Sequence, residues 1–502
     1  MKIILCLPAP LREAMRMKAY VVGGGIGGLA TALRLAHSGR QVTLFEKNEQ
    51  LGGKAGRFEK DGYRWDTGPS LFTLPDILGD LFTACGEKMK DHLTIKELDP
   101  ICRYFWRDGT VIDEGGDFFK RPEVADFLDY ASGIYQLSGD AYLNYPPNQF
   151  WKAFKPGNWP KLRHLPKICT FAKLAEEVDR CFLDPHLRQL FKRFATYNGS
   201  SPYLTPSTFN IIPYIQEEFG GWYPVGGVYE IILSLQNLCQ KAGVEIKTNT
   251  QVTAITRDTL STESGSHAAS YFHEDYPVVI NMDATTAYEK MIQIPGADSL
   301  ARHYAKPERS LSGYVMMLGI DREFPQLSHH NIYFSDDYEN EFDDIFKRVQ
   351  CPTDPTIYVN ITSKTDRRDA PPGCENWFVL INVPAEVDQI DWSVEGPRLE
   401  DKVIDLLEAR GCENLRSHIR VRESISPADF QNRHLSNHGS LYGWASHSIR
   451  TSVLRPPLQS PLHNNLWFVG GTTHPGGGIP LVLLSAKMVT EQIRPLEEMV
   501  NE

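Results

Sequence analysis

The pattern of apolar and polar positions near the start of the chain predicts a strand, a helix and a second strand in close succession. Residues 19–22 are short and apolar, as expected for a buried parallel strand. From 29 to 36 apolar side chains recur at helical spacing, and Ser38-Gly39 ends that segment. Residues 41–46 predict the second strand, which ends on an acid. Such a unit is typical of α/β proteins built on a parallel sheet.

Further along the chain the pattern changes twice. Between about residues 76 and 220 it is mainly helical, and after 220 strands and helices alternate again. The predicted helices are 76–85, 121–137, 171–197, 228–242, 400–408 and 481–493, and the predicted strands are 244–247, 251–255, 276–280, 314–320, 357–362, 377–383 and 465–469, with a hairpin at 101–113. This return predicts that distant segments complete the first domain, while residues 290–430 supply a sheet to a second one.

Three glycines follow the first strand with the G-x-G-x-x-G spacing. Gly23 permits a tight turn, Gly25 lets the backbone approach a pyrophosphate, and Gly28 allows close packing of helix on strand. The helix N-terminus that follows offers free N–H groups to phosphates. Glu46, eighteen residues after Gly28, is placed to accept hydrogen bonds from ribose hydroxyls and would repel a 2′-phosphate. Together these features predict dinucleotide binding; the alternative is a glycine-rich turn without a ligand.

The composition of the chain bounds its class. Its 502 residues favour two domains, and its net charge of −11 argues against general nucleic-acid binding. The nine cysteines are scattered without a CxxC pair, which predicts reduced thiols in a cytoplasmic protein. No apolar run is long enough to span a bilayer. Residues 1–16 precede the first strand and Met17 would be a natural start, so we expect a disordered extension or a start-site artefact there.

Further glycine-rich turns occur at 51–57, 66–70, 222–227 and 470–480. Between the first two, Asp61-Gly62 predicts a hairpin turn. The last segment joins a strand to a helix, whose N-terminus would face a cofactor. Because it lacks the G-x-G-x-x-G spacing, we do not expect a second nucleotide site. Backbone held against a ligand is one interpretation of these turns, and ordinary loops are the alternative.

With these segments the chain resembles the carotenoid desaturases of the bacterial phytoene desaturase type, within the flavin amine oxidase superfamily. The resemblance rests on residues 21–29, 45–48, 51–54, 61–63, 66–70, 223–227 and 471–480, and so extends over nearly the whole chain. The Thr-His-Pro-Gly core of the last segment is its most specific part. The resemblance implies an α/β fold with a Rossmann-like FAD-binding domain, a mixed α+β substrate domain and a helical membrane-facing segment.

The resemblance also implies domain bounds and cofactor contacts. The expected domains are an N-terminal extension (1–17), an FAD-binding domain in three parts (18–90, 221–289 and 436–502) and a substrate domain in two (91–220, membrane-associated, and 290–435). The expected FAD contacts are Gly23, Gly25 and Gly28 at the pyrophosphate, Glu46 and Lys47 on the ribose side, Gly53, Lys54, Gly68, Pro69 and Ser70 along the diphosphate and flavin, Val252 at the adenine, and Gly471, Gly478, Ile479 and Pro480 around the isoalloxazine ring.

Within this family, the resemblance also bears on the substrate. Residues 104–110 and 194–203 are similar to the subgroup that desaturates 1-hydroxylated carotenoids at the 3,4 position. The alternative is a phytoene desaturase, because the cofactor motifs are common to both subgroups. Two more distant alternatives are a flavin amine oxidase and a non-catalytic isoprenoid-binding escort protein related to Rab GDP-dissociation inhibitors. The chain shows no second nucleotide motif for NADPH, so oxygen or a quinone is the expected oxidant.

Desaturation removes a hydride and a proton from adjacent carbons, and neighbouring double bonds delocalise the charge between these events. A strong acid–base pair is therefore not expected. His474, in the last glycine-rich segment, is the best single candidate for proton handling. The alternative is that His474 orders this loop by hydrogen bonding. Thr473, Asp66 and Arg57 are expected near the flavin in structural roles.

No metal site is predicted. The pairs His329-His330 and Asp336-Asp337 come nearest to ligand spacing. Adjacent residues on a strand point to opposite faces, however, so a core or surface role is expected for both histidines.

One segment predicts contact with a membrane. Residues 151–173 contain six basic residues and no acid, in a chain of negative net charge. The side chains expected at the membrane surface are Trp151, Lys152, Phe154, Lys155, Trp159, Lys161, Arg163 and Lys167. Aromatic side chains suit the headgroup region, and cations are attracted to anionic lipids. We therefore expect a cytoplasmic, peripherally membrane-associated protein that takes up its carotenoid from lipid; the alternative is a solvated basic loop.

Overall fold

A computed structural model describes residues 17–153, 172–263 and 276–493. The strands are β1 (Lys18–Val22), β2 (Gln41–Phe45), β3 (Arg57–Lys60), β4 (Tyr63–Asp66), β5 (Ile95–Glu97), β6 (Cys102–Phe105), β7 (Val111–Glu114), β8 (Trp222–Pro224), β9 (Glu245–Lys247), β10 (Val252–Ile255), β11 (Leu260–Thr262), β12 (Val278–Ile280), β13 (Ser312–Ile320), β14 (His330–Tyr333), β15 (Ile357–Ile361), β16 (Glu375–Val383), β17 (Ile419–Ile425) and β18 (Leu466–Phe468).

The α-helices lie between these strands. They are α1 (Ile26–His37), α2 (Pro75–Ala84), α3 (Pro122–Ile134), α4 (Asp140–Asn144), α5 (Leu174–Cys181), α6 (Pro185–Lys192), α7 (Ile211–Phe219), α8 (Tyr229–Lys241), α9 (Ala284–Lys290), α10 (Ala297–Tyr304), α11 (Tyr338–Asp343), α12 (Trp392–Ala409), α13 (Leu415–His418), α14 (Pro427–His434), α15 (Ile449–Val453) and α16 (Ile479–Gln492). Within the described ranges, no helix has the length and apolarity needed to cross a bilayer.

The first sheet is parallel, with strand order β18-β12-β1-β2-β9. Its central strand β1 has apolar side chains on both faces, because helices cover the sheet on each side. Helices α1, α8 and α16 pack together on one face around Leu29, Leu235 and Leu483. Strands from three distant parts of the chain therefore build one Rossmann-like sheet, as predicted.

The second sheet is mixed, with strand order β17-β13-β16-β15-β14-β6-β7. Neighbouring strands are antiparallel except β14 and β6, which run parallel. Strand β13, which lies between β17 and β16, is buried along its whole length, and α12 packs on one face of the sheet around Leu399 and Val403. The predicted sheet of the second domain is confirmed, while the domain boundaries given above stay a prediction.

Local predictions fail where polar residues interrupt the apolar pattern. The single helix predicted over 171–197 is wrong: α5 ends at Cys181, and α6 begins at Pro185 with Asp184 as its N-cap, accepting from the His186 N–H at 2.8 Å. The residue before a proline disfavours helical geometry, which explains the break. The predicted helical membrane-facing segment falls largely on residues 154–171, which lie outside the described residues.

Candidate functional site

A cavity of about 510 Å³ lies where the carboxyl end of the parallel sheet meets the second sheet. The predicted cofactor-binding residues that line it are Gly23, Gly25, Glu46, Lys47, Gly53, Lys54, Gly68, Pro69, Ser70, Val252, Gly471, Gly478, Ile479 and Pro480. Residues separated by more than 400 positions in the chain thus form one wall. Ligands of open parallel sheets bind at this edge, because the connecting loops and helix N-termini converge there.

The glycine loop after β1 forms the first part of this wall. Helix α1 begins at Ile26, and its N-cap Gly25 has no side chain that could stand between the helix N-terminus and an anion in the cavity. Gly28 does not line the cavity. A Cβ at this position would lie 1.9 Å from the Gly23 carbonyl oxygen, so Gly28 serves the close packing of α1 on β1.

Asn281, which follows β12, supports the same loop and was not predicted. With its amide oxygen facing the loop, it accepts hydrogen bonds from the N–H groups of Gly25 at 3.3 Å and Gly28 at 3.1 Å. The backbone N–H of Asn281 donates to the Val22 carbonyl at 2.7 Å, which continues the pairing of β12 with β1. A polar residue directly after a predicted parallel strand is the sequence signal that could have identified it.

The ribose side of the wall is built around Glu46. One carboxylate oxygen accepts from the Gly24 N–H at 2.7 Å, and the other accepts from the Asn48 backbone and side-chain N–H groups at 2.8 Å. Only 5% of Glu46 is exposed, so its carboxylate is held at the cavity as an acceptor. Lys47 also lines the cavity, but its ammonium group donates to the Asn432 carbonyl at 2.7 Å.

Lys54 brings a cation to the wall of the cavity. Its Nζ donates to the carbonyls of Leu441 at 2.6 Å and Ser440 at 3.3 Å. Burial lowers the pKa of Lys54 to about 8, although the nearby Asp283 carboxylate acts in the opposite direction. A Cβ on Gly68 would lie 1.9 Å from the Lys54 carbonyl oxygen, so the loop holding Pro69 and Ser70 fits closely on this segment.

The residues expected near the flavin in structural roles do not line the cavity. Asp66 accepts hydrogen bonds from the N–H groups of Val228 at 3.0 Å and Tyr229 at 3.1 Å, and from the Arg64 guanidinium at 2.7 Å. It thereby ties the end of β4 to the start of α8. Thr473 is buried and donates to the Gly470 carbonyl at 3.2 Å.

His474, the predicted proton-handling residue, is placed behind the cavity wall. Its Nε2–H donates to the Tyr142 carbonyl oxygen at 3.0 Å, and burial lowers its pKa to about 4. The ring is therefore neutral at pH 7 and does not reach the cavity. This position does not support the catalytic prediction and agrees with the alternative, in which His474 orders the loop.

The second sheet supplies a wall that sequence reasoning missed. Three polar side chains line the cavity here: His330 and Tyr358 on the sheet, and Arg193 in the helical segment 193–198 beside it. Arg193 and His330 are buried. His330 belongs to the pair considered above for a metal, and His329 faces away to bond Thr365 Oγ1 at 2.6 Å. In the described part of the chain no group of three or more metal-ligating side chains exists.

The structure describes residues 151–153, the start of the basic segment 151–173 that is expected at the membrane. Trp151 is 70% exposed, and Lys152 donates to Gln149 at 2.6 Å. The other side chains predicted at the membrane, Phe154, Lys155, Trp159, Lys161, Arg163 and Lys167, lie outside the described residues.

Comparison with known proteins gives the cavity its context. The family model described as flavin containing amine oxidoreductase matches residues 26–494. A 1-hydroxycarotenoid 3,4-desaturase of Flavobacterium sp. (strain P99-3) is 38% identical, with 95% of this chain and 99% of that relative covered. A 4,4'-diapolycopene oxygenase of Methylomonas sp is 35% identical, covering 95% of this chain and 98% of that protein.

A solved structure shares the fold. An oxidoreductase from Methanosarcina mazei superposes with a TM-score of 0.63 at 16% identity, over 95% of this chain and 100% of that one. The expectation of a flavin-using oxidoreductase similar to the carotenoid desaturases is confirmed by the family match and the two relatives. The chain therefore belongs to the family of flavin-containing amine oxidoreductases.

Proposed function

We propose that this protein is an FAD-dependent carotenoid desaturase, and that its substrate is a 1-hydroxycarotenoid desaturated at the 3,4 position. The observation that carries the proposal is one cavity with two kinds of wall. Glycine loops, Glu46 and Lys54 form one wall, while apolar side chains of the second sheet, among them Ile332 and Leu380, form the other. This combination suits a dinucleotide cofactor placed against a long apolar substrate. The relative at 38% identity supports the choice of substrate.

The polar wall fits FAD on chemical grounds. The N-terminus of α1 and the Lys54 ammonium suit a diphosphate, and the fixed Glu46 carboxylate suits ribose hydroxyls. Gly471, Gly478, Ile479 and Pro480 would border the ring system. When bound, the flavin supplies an acceptor for the hydride that leaves one carbon of the new double bond.

The chain's own contribution is positioning and exclusion of water. The apolar wall holds the substrate so that one C–H bond faces the polar wall, and the second hydrogen leaves as a proton from the adjacent carbon. Substrate double bonds delocalise the positive charge that develops between these events. No residue with the geometry of a general base is required, which is consistent with the placement of His474 behind the wall.

Two experiments test this function. The cofactor extracted from purified protein is expected to be FAD; a protein without any flavin would favour the escort alternative. Expression in cells that make either a 1-hydroxylated carotene or phytoene, followed by pigment analysis, identifies the substrate. Loss of two hydrogens from the hydroxylated carotene is expected. A product with an oxidised end group would instead indicate an oxygenase like the Methylomonas relative, and conversion of phytoene alone would favour a phytoene desaturase.

We also propose that residues 151–173 dock the protein on the cytoplasmic face of a membrane. The exposed Trp151 and the six cations of this segment support the proposal. Each cation near an anionic surface contributes about 1 kcal/mol, so removing four is expected to weaken binding by about 4 kcal/mol. The variant neutralises Lys155, Lys161, Arg163 and Lys167, and the matched control neutralises the exposed Lys120, Arg367, Arg368 and Arg398. Unchanged flotation of the first variant with anionic liposomes would contradict the proposal.

A further inference from the structure

The polar side chains on the apolar wall form a patch that the proposed desaturation leaves unexplained. We call Arg193, His330 and Tyr358 the donor patch. All three line the cavity, and Arg193 and His330 are 7% and 2% exposed. Around them the cavity is lined by apolar side chains, including Ile332, Phe378 and Leu380. Polar groups in such surroundings cost free energy unless a ligand or partner satisfies them.

The hydrogen bonds of His330 fix which ring nitrogen carries the proton. The Asn360 side-chain N–H₂ donates to the His329 carbonyl at 3.2 Å, which sets the orientation of that amide. The same group lies 3.1 Å from His330 Nδ1, so Nδ1 must accept. Burial and the nearby Arg193 hold the pKa of His330 well below its ordinary value, and the ring is neutral. Its proton is therefore on Nε2.

That Nε2–H is a donor without an acceptor among the described residues. Tyr358 strengthens the assignment: its hydroxyl lies 2.8 Å from His330 Nδ1 and 2.6 Å from Ser70 Oγ. With Nδ1 as acceptor, the Tyr358 O–H donates to it and accepts from Ser70. The direction of this chain of hydrogen bonds leaves His330 with one unpartnered donor and no free acceptor among the described residues.

Arg193 adds a second donor of the same kind. Its guanidinium donates to the Tyr104 hydroxyl at 2.7 Å and lies 3.9 Å from the Glu114 carboxylate, while its Nε has no partner in the described part of the chain. The aromatic rings of Phe194 and Tyr197 pack against the guanidinium and hold it in place. The patch thus offers N–H donors, in fixed positions, to a ligand that brings an oxygen acceptor.

We propose that the donor patch binds the hydroxyl oxygen of the carotenoid substrate and thereby selects an end that carries a 1-hydroxyl group. The inference rests on the proposed function and names the residues that set its specificity. The hydroxyl on C1 is separated from C3 by two carbon–carbon bonds, so its binding site must lie close to the reacting carbons. Ser70 belongs to the polar wall, where the cofactor is proposed to bind, and its hydroxyl contacts the Tyr358 hydroxyl directly. The donor patch is therefore next to the cofactor site.

The test compares one hydroxylated carotene with the matching hydrocarbon that lacks the hydroxyl. His330→Phe keeps a buried ring but removes the donor, and Tyr358→Phe removes the group that orients the ring. His330→Gln retains an N–H donor and serves as the rescue variant. The matched control is Tyr288→Phe, which removes another buried hydroxyl bonded to a serine, at 2.8 Å from Ser460 and away from the cavity.

The expected result is selective for the hydroxylated substrate. His330→Phe should lower kcat/KM for the hydroxylated carotene about 10-fold to 100-fold, because the substrate hydroxyl is left without a partner, and should lower kcat/KM for the hydrocarbon by a clearly smaller factor. His330→Gln should recover part of the loss, and Tyr288→Phe should show none. Quenching of tryptophan fluorescence by each carotene measures binding independently of turnover, and flavin content confirms that the variants fold.

Three outcomes would overturn the inference. Equal losses for both carotenes would assign His330 a structural role only. An unchanged His330→Phe variant would show that the donor does not meet the substrate. A wild-type protein that desaturates both carotenes equally would refute selection by the hydroxyl while leaving the desaturase function intact, whereas failure on every carotene would reject the proposed function itself.

Discussion

Replacing Asp66 with alanine tests whether the hydrogen bonds that join the end of β4 to the start of α8 stabilise the polar wall of the cavity. The substitution removes the acceptor of three hydrogen bonds, two from the first N–H groups near the start of α8 and one from Arg64. Asp66 is 7% exposed and Arg64 9%, so water cannot easily replace the lost partner. Among the described residues, the carboxylate left to Arg64 would be that of Asp369, at 3.4 Å.

The expected cost follows from these contacts. Removing one partner of a buried ion pair costs about 3–5 kcal/mol, because the remaining charge stays buried. In an unfolding unit of 150–250 residues this corresponds to a fall of about 6–20 °C in Tm. Glu59→Gln is the control, since its ion pair with Arg57 at 3.2 Å is exposed and such pairs contribute at most about 1 kcal/mol.

The assay is thermal unfolding of the flavin-loaded protein, followed by far-UV circular dichroism and by release of flavin fluorescence. Both signals should shift to lower temperature in Asp66→Ala, and flavin release should come first because residues 67–70, which follow Asp66, line the cavity. If Asp66→Ala shifted Tm by no more than about 4 °C, the largest shift expected of the control, the assigned tie would be refuted.

Three further predictions concern the cavity. Gly68→Ala should lose bound flavin, because the new Cβ would lie 1.9 Å from the Lys54 carbonyl, whereas Gly79→Ala, with nothing within 4 Å, should retain it; equal flavin content in both purified proteins would contradict this. His474→Gln should lower kcat less than 10-fold without changing the pH profile, since loss of a general base costs about 10²–10⁴-fold. FAD affinity should fall as pH rises above about 8, where the buried Lys54 beside Asp283 loses its proton; titration at pH 7 and 9.5 checks this, and Lys54→Gln should abolish the dependence.

Proton binding by Lys54 makes the stability of the folded protein and its affinity for the cofactor change with pH in opposite directions. Burial depresses its pKa from 10.5 to about 8, so between these values the unfolded chain binds the proton more readily than the folded protein. The stability of the cofactor-free protein therefore gains from this group as pH rises through that window. Cofactor affinity changes in the opposite direction, because the anionic diphosphate is attracted to the protonated form.

The parallel sheet was predictable because its signals are local. Residues 18–46 carry the strand, glycine turn, helix and strand in one short stretch, and each feature has its own physical cause. In contrast, β14 (His330–Tyr333) and β17 (Ile419–Ile425) were missed. The first buries polar side chains and so lacks an apolar run, and the second is an edge strand with arginines at positions 420 and 422.

The residues of the site also fall into those that the sequence predicted and those that it did not. Glycine spacing identified the loops that line the cavity, since backbone approach requires particular residues at particular positions. The donor patch could not be found from sequence, because Arg193, His330 and Tyr358 come from a helical region and two strands that only the tertiary fold brings together. His474 shows the converse: membership of a glycine-rich loop does not determine which of its residues face the ligand.

The position of β18 has a consequence for synthesis of the protein. This strand, Leu466–Phe468, pairs with β12 and completes the sheet that β1 begins at Lys18. At 5–20 residues per second, a ribosome needs about 20–90 s to make the intervening chain. Until then the apolar edge of β12 is unpaired and the last glycine loop does not exist. A cofactor site that includes this loop can therefore be completed only after nearly the whole chain has been made.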